Sequence, residues 1–249
     1  RTYTQVIRVD PTRDESVKQT IAAQLDASGR FAGAQMMNIR DRLREIRQTP
    51  EGHEGCSLGL NVSNAGSASG QSGTIGTESN EACQGVSVWS MGSMTFSDSS
   101  LGDNNLRTDG ITLGIDRRIT DSMVLGATVG FASNDYDLSS VQSELDADQQ
   151  SFSVYGAYRN DDGLYLDGIV GMGVLGFDTR RWSAPDAGYA VASRDGDQWY
   201  ASLLFGYEFR KDTVQYGAYL RYDRTESSLD SYAESGISTN AFSFGSQDV

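Results

Sequence analysis

The sequence predicts an all-β membrane protein, an antiparallel transmembrane β-barrel preceded by one long α-helix. Three observations point there. From Val86 onward, run after run alternates apolar residues with polar ones or glycine, the period of a strand with two different faces. The second face of those runs carries charges that a dry core would not hold. Ahead of the runs lies one long segment with a helical composition and its own start signal.

The composition suits that class. Gly is abundant (28) and Pro scarce (3), with 12 Tyr, 9 Phe and 3 Trp, a mix for many strands joined by tight turns. At 249 residues the chain holds one large β domain or two ordinary ones. Mean hydropathy is −0.43, and no apolar run approaches the ~18–20 residues of a membrane-spanning helix. A barrel whose strands alternate apolar and polar residues still averages out as polar. The formal net charge of −14 leaves no electrostatic footprint for nucleic acid. The two cysteines, Cys56 and Cys83, flank a Gly/Ser/Asn-rich stretch. They read as one disulfide closing a loop in an oxidising compartment, with two free thiols as the alternative. Metal binding would need more ligands, since His53 is the only histidine, and no cofactor motif is found. Arg1 opens no signal peptide, so it reads as an internal point of a longer precursor.

Four segments follow in order. Residues 1–11 alternate around Tyr3, Val6, Ile7 and Val9 up to Pro11 and read as the last strand of an upstream β domain. Residues 12–48 read as a helix. Thr12-Arg13-Asp14-Glu15 has the capping-box pattern, and Thr49-Pro50 closes the segment. Gly29 and Gly33 are expected to give this helix a slim middle. Its last third carries Arg30, Arg40, Arg42, Arg44 and Arg47 against Asp41 and Glu45, a basic patch in an acidic chain. Residues 49–85 read as a loop of low complexity. Residues 86–249 read as barrel strands, about eight of them: 86–97, 110–119, 122–137, 150–159, 164–180, 198–210, 213–225 and 239–248.

Alternation also occurs in soluble sandwiches, and two further features decide. The less apolar face carries Asp116, Asp167, Glu208, Arg210, Arg221 and Asp223, which fits a wet lumen. The connections alternate short (118–122, 160–163, 211–213) and long (97–110, 137–150, 180–198, 225–239), the habit of outer-membrane barrels. Phe131, Tyr158, Phe177, Trp199, Tyr207, Phe209 and Tyr222 lie near strand ends and fit interfacial girdles.

With helix, loop and strands in this order, the chain resembles the translocator domain of monomeric (type V) autotransporters. FAGAQMMNIRDRLREIRQ carries the likeness for the helix, and VWSMGSMTFSD for the first strand. TDGITLGIDRRITDSMVLGATVGFASND, GLYLDGIVGMGVLGFDTRR and DGDQWYASLLFGYEFRKD carry it for later strands. The resemblance covers residues 20–249 and lies in the order and spacing of the segments. It implies a 12-stranded barrel in the bacterial outer membrane, inserted by the barrel assembly machinery, with the helix in the lumen and an N-terminal passenger at the cell surface. The pattern's last strands and terminal aromatic residue do not occur before Val249, so an incomplete barrel is expected.

If the helix occupies the lumen, Arg40, Arg42, Arg44 and Arg47 are placed to pair with Asp116, Asp167, Glu208 and Asp223. The alternative is that these carboxylates merely line a wet pore. Some family members release their passenger at an Asn in the helix. Asn38 lies in that neighbourhood without the paired Asn of the self-cleaving kind, so the helix is expected to stay attached. Outer-membrane hydrolases use a His base, and His53 sits in the low-complexity loop with no nucleophile motif or paired carboxylates near it. A free-standing porin or adhesin barrel explains the strands but not the long basic helix. The expected function is export and anchoring of a passenger, and not catalysis.

Overall fold

The computed structural model describes residues 10–48, 57–58, 86–98, 105–211, 214–237 and 239–249. One helix, α1 (Glu15–Gln48), spans 34 residues, roughly 50 Å at ~1.5 Å per residue. The strands are β1 (Ser57–Leu58), β2 (Ser87–Asp98), β3 (Asn105–Thr120), β4 (Met123–Leu138), β5 (Ser143–Arg159) and β6 (Leu164–Ser183). They continue with β7 (Gly188–Lys211), β8 (Val214–Leu229), β9 (Tyr232–Ala233), β10 (Ser243–Phe244) and β11 (Gln247–Asp248). From β2 to β8 each strand pairs antiparallel with the next, an up-and-down meander. β1 lies parallel to β2 at Trp89 and Ser90, and β11 pairs with β8 at Leu229 and Ser228. β9 and β10 form a hairpin of their own. Among the described residues the sheet does not close, and it curls as a trough around α1, which touches every strand from β2 to β8.

The helix starts two residues later than the capping-box reading places it. Asp14, not Thr12, is the cap: its Oδ1 accepts the Ser16 N–H at 2.9 Å and the Ser16 hydroxyl at 2.6 Å. Thr12 is held instead by Asp10, through its N–H at 3.0 Å and its hydroxyl at 2.7 Å. Gly29 and Gly33 do not thin the helix against the wall. A side chain at either position would meet nothing within 4 Å, because both lie on the stripe that looks out of the trough.

The sheet has two polarities along its height. In its lower part apolar side chains point outward and are exposed: Ile111, Leu113 and Ile115 on β3, Leu125, Val129 and Phe131 on β4, Phe152 and Val154 on β5. Leu166, Val170, Met172 and Val174 continue the belt on β6, and Leu203, Phe205 and Phe209 on β7. The span from Ile111 to Ile119 is close to the ~9–11 residues that cross a bilayer at a tilt. In the upper part the pattern inverts. Ala132, Tyr136, Leu138, Leu145, Ala147, Leu175 and Phe177 point inward and pack on Ala23, Ala27 and Phe31 of the helix. The outward positions there include Asp135, Asp137, Glu144, Asp146, Asp148, Asp178 and Asp195, all exposed. Phe177 is therefore an inner-core residue and not part of a girdle.

This inversion corrects the strand boundaries. The segments read as long loops at 137–150 and 180–198 are mostly strand: β5 begins at Ser143, β6 runs to Ser183 and β7 begins at Gly188. A stretch such as Ser143-Glu144-Leu145-Asp146-Ala147-Asp148 reads as solvated loop because its outward residues meet water rather than lipid. The segment 239–248, read as an eighth spanning strand, holds only β10 and β11 among its described residues. The readings at 1–9, 49–56 and 59–85, including the Cys56–Cys83 pair and His53, lie outside the described residues.

Inner-face glycines let large aromatics lie flat on the neighbouring strand. Trp89 is registered opposite Gly114, Tyr155 opposite Gly126, Tyr200 opposite Gly171 and Tyr165 opposite Gly206. A Cβ at these glycines would stand 2.2 to 2.4 Å from the ring in every case. Gly126→Val should therefore lower stability by about 1–3 kcal/mol through overpacking, read as a lower urea midpoint for the folded, fast-migrating form on unheated gels. Val170→Arg, in the outward belt, should cost about 2–4 kcal/mol in lipid. Asp148→Arg, above the belt, should leave the same midpoint nearly unchanged.

Candidate functional site

The inner wall changes character from bottom to top, and α1 changes with it. Along one cross-strand row the inward residues are Asp116, Gly126, Tyr155, Ile169, Ser202 and Asp223. Two rows up lie Thr112, Gly130, Ser151, Gly173, Gln198 and Ser227, small or amide side chains. Above these the apolar cluster around Phe31 begins. The helix presents arginines to the first layer, Gln35 and Asn38 to the second, and alanines and Phe31 to the third, while Met36, Ile39 and Leu43 pack on Trp89, Tyr155, Ile169 and Tyr200 in the lower lumen.

The lowest layer holds three pairs between helix and wall. Arg42 grips Asp116 through two hydrogen bonds, Nε to Oδ2 at 2.8 Å and Nη2 to Oδ1 at 3.1 Å. Both side chains are buried. The wall prepares this carboxylate: the Tyr155 hydroxyl donates to Asp116 Oδ2 at 2.7 Å, and the Trp89 indole N–H donates to that hydroxyl at 2.7 Å. Arg40 donates to Asp223 at 2.6 Å, and the Ser202 hydroxyl donates to the same oxygen at 2.6 Å. Arg47 pairs with Asp167 and lies over the Tyr165 ring, while Arg159 donates to its carbonyl oxygen at 3.0 Å. Burial of a guanidinium in such a lumen is offset only by close pairing of this kind.

The other candidates lie elsewhere. Arg44 faces out of the trough and pairs with Asp41 of its own helix at 3.1 Å. Arg221 pairs with Asp223 on β8 at 3.2 Å rather than with the helix. Glu208 lies near the lower end of β7, its backbone N–H donating to the Gly163 carbonyl at 2.8 Å. The Arg210 side chain lies outside the described residues.

Sequence reasoning passed over two further groups. In the middle layer the Asn38 amide donates to the Thr112 hydroxyl at 2.8 Å, and that hydroxyl donates to Gln35 Oε1 at 2.7 Å. Gly130 makes room for Gln35, whose Oε1 would lie 2.1 Å from a Cβ there. At the upper mouth, two buried arginines tie α1 to the β9–β10 hairpin. Arg181 is bidentate to Glu234 at 2.7 and 2.6 Å and donates to the Ser16 hydroxyl at 3.2 Å. Arg194 donates to Gln24 Oε1 at 2.8 Å and to the Asp230 carbonyl at 2.7 Å. Burial, then the Glu234 charge, pushes the Tyr232 hydroxyl of this hairpin up to about 12. The signal in the sequence was weak. Arg181 and Arg194 lie in segments read as a loop, and the role of Gln35 depends on a glycine in another strand.

An apolar outer belt, tight turns at its lower edge, strands that stand beyond it above, and a polar wall filled by a helix define a plugged transmembrane barrel of the outer-membrane kind. The comparisons with known proteins agree. Residues 88–249 match the family described as autotransporter beta-domain. The fold is similar to the translocator domain of autotransporter NalP from Neisseria meningitidis, with a TM-score of 0.50 at 21% identity over 59% of this chain and 52% of that one. In sequence, 111 residues are 26% identical to YaiT, an uncharacterized protein of Salmonella typhimurium, covering 43% of this chain and 11% of that protein. The chain belongs to the autotransporter beta-domain family, and its place is the bacterial outer membrane.

Arg42→Ala should cost about 3–5 kcal/mol, because it strands Asp116 as a buried unpaired charge. The double variant Arg42→Met/Asp116→Leu should recover most of that loss, both read as urea midpoints of the folded barrel.

Proposed function

We propose that this domain anchors an upstream passenger in the outer membrane and exports it, and that α1 is the last exported segment, retained in the lumen as a plug. The observation that carries this is the direction of the helix. Its arginine-rich end lies beside Asp167 and Arg159, next to the tight turn after β5, and its amino-terminal end lies among the strands that stand above the belt. Tight turns belong to the periplasmic side of such barrels and tall strands to the outer side. A chain continuing from the amino-terminal end of α1 therefore leaves on the cell surface.

The domain division follows. Residues 1–11 belong to the passenger or an upstream β domain, 12–48 to the linker with α1 at Glu15–Gln48, 49–85 to the return toward β2 with a Cys56–Cys83 disulfide, and 86–249 to the barrel. Outer-membrane lipid surrounds the belt, and the barrel assembly machinery inserts it. The domain is no enzyme. The Asn38 amide is taken up by Thr112, which supports a helix that stays joined to its strands. A free-standing porin is disfavoured by Phe31 and its neighbours, which fill the upper lumen with apolar side chains.

The test places an epitope just before Arg1 in the natural full-length protein and stains intact cells, with and without residues 13–48. Surface staining that needs the helix segment is the expected result. A barrel that inserts while the epitope stays periplasmic in both forms would refute export by this domain.

A further inference from the structure

We infer that Asp116, Asp167 and Asp223 set the axial position of α1 in the lumen and so fix where outward movement of the chain ends. This rests on the reading of α1 as the last exported segment. A helix in a polar tube has a positioning problem, because a slide of one turn, about 5.4 Å, presents nearly the same face to the wall. Ion pairs solve it only if their spacing along the helix does not repeat.

The spacing here does not. The three wall carboxylates are met by Arg40, Arg42 and Arg47. An outward slide of four residues would bring Arg44 to the place of Arg40, but Ile46 to that of Arg42 and Glu51 to that of Arg47. A slide of three would offer Leu43, Glu45 and Pro50, and one of seven would offer Arg47, Thr49 and Glu54. Inward slides of three, four and seven offer Met37, Ile39 and Arg44, then Met36, Asn38 and Leu43, then Gly33, Gln35 and Arg40. Each alternative leaves at least two carboxylates facing an apolar, neutral or acidic residue.

Two of the carboxylates are also held still by the wall, Asp116 by Tyr155 and Trp89, and Asp223 by Ser202. A fixed acceptor discriminates position better than one free to follow a sliding partner, because the ordering is done before the helix arrives. Packing marks position as well, through Phe31 in the upper cluster and Met36, Ile39 and Leu43 against Trp89, Tyr155, Ile169 and Tyr200, so the test has to separate charge from packing. Asp116, Asp167 and Asp223 are positioning residues in this account, and Arg42 is the least replaceable of the arginines.

Cross-linking reads the position. Thr112 on β3 contacts Gln35 and Asn38. In full-length protein with Cys56→Ser and Cys83→Ser, Thr112→Cys is paired in turn with Asn38→Cys, Ile39→Cys and Ala34→Cys and treated with a short bis-thiol reagent. Asn38→Cys reports the native position. Ile39→Cys reports an outward slide of four, which carries it to the place of Gln35, and Ala34→Cys reports an inward one. With the natural wall, the 38–112 product should exceed the other two by about tenfold or more, the size of effect expected when slides break buried ion pairs. With Asp116→Asn, Asp167→Asn and Asp223→Asn together, the 39–112 or 34–112 product should rise to within about threefold of it.

Heat-modifiable mobility identifies the molecules that have folded, and Asp116→Asn alone or Arg42→Gln with Arg47→Gln replaces the triple change if that barrel does not fold. A product confined to 38–112 in folded barrels with the neutral wall overturns the inference, because packing then fixes the helix without the charges. The epitope before Arg1 is stained on the same cells. Its absence from the surface with the natural wall counts against export itself, whereas normal staining with an unmoved cross-link counts against position-setting alone.

Discussion

The pairing of Arg42 with Asp116 is the contact on which the rest of the lumen depends. It brings together the two elements of the chain that are farthest apart in character, a basic helix and an acidic wall, at a depth where neither charge is stable alone. Everything around it serves its geometry. Trp89 lies over Gly114 and reaches Tyr155, Tyr155 lies over Gly126 and reaches Asp116, and the carboxylate is left with both oxygens aimed at one guanidinium. The glycines of the inner face are thus part of the electrostatic arrangement as well as of the packing.

Above this layer the molecule switches from one way of burying surface to another. In the belt, lipid takes the aliphatic side chains of the outer face, and the lumen holds the charged pairs beside a buried cluster of Met36, Ile39 and Leu43 on Trp89, Tyr155, Ile169 and Tyr200. Beyond the belt, water lies outside, so the same alternation of strands must run in the opposite sense, and the lumen becomes an ordinary hydrophobic core with Phe31 at its centre. The helix follows the change along its own length, from Arg42 through Asn38 and Gln35 to Ala27 and Ala23. Two buried arginines, Arg181 and Arg194, then join its outer end to the β9–β10 hairpin across the mouth.

How much of this the sequence revealed depended on which solvent each strand face meets. The belt strands were legible because Ile111, Leu113 and Ile115, or Val170, Met172 and Val174, alternate against glycine and polar residues with nothing to blur the period. The upper halves of β5, β6 and β7 were not, because Asp146 and Asp148 beside Leu145 and Ala147 look like a loop unless the inversion is anticipated. The inward carboxylates could be recognised as a group from their strand face. Which arginine meets which could not, since Arg44 lies only four residues from Arg40, and the ~40° by which four residues overshoot a turn puts it on the open side. The helix cap moved from Thr12 to Asp14 because two neighbouring side chains compete for the same short stretch of backbone, and local geometry chooses between them.

The inversion of polarity also fixes the draught of the molecule in its membrane. Going up β4 and β5, Phe131 and Phe152 are the last large apolar outward side chains, and Asp135 and Asp148 follow within four residues. Sinking by one residue pair, about 7 Å along a strand, would drag a ring of carboxylates toward hydrocarbon, and rising by as much would lift phenylalanines into water. Both displacements are opposed along β4 to β7, so the barrel floats at one level. The exit for an exported chain then stands at a constant height above the lipid, set by side chains that never touch that chain.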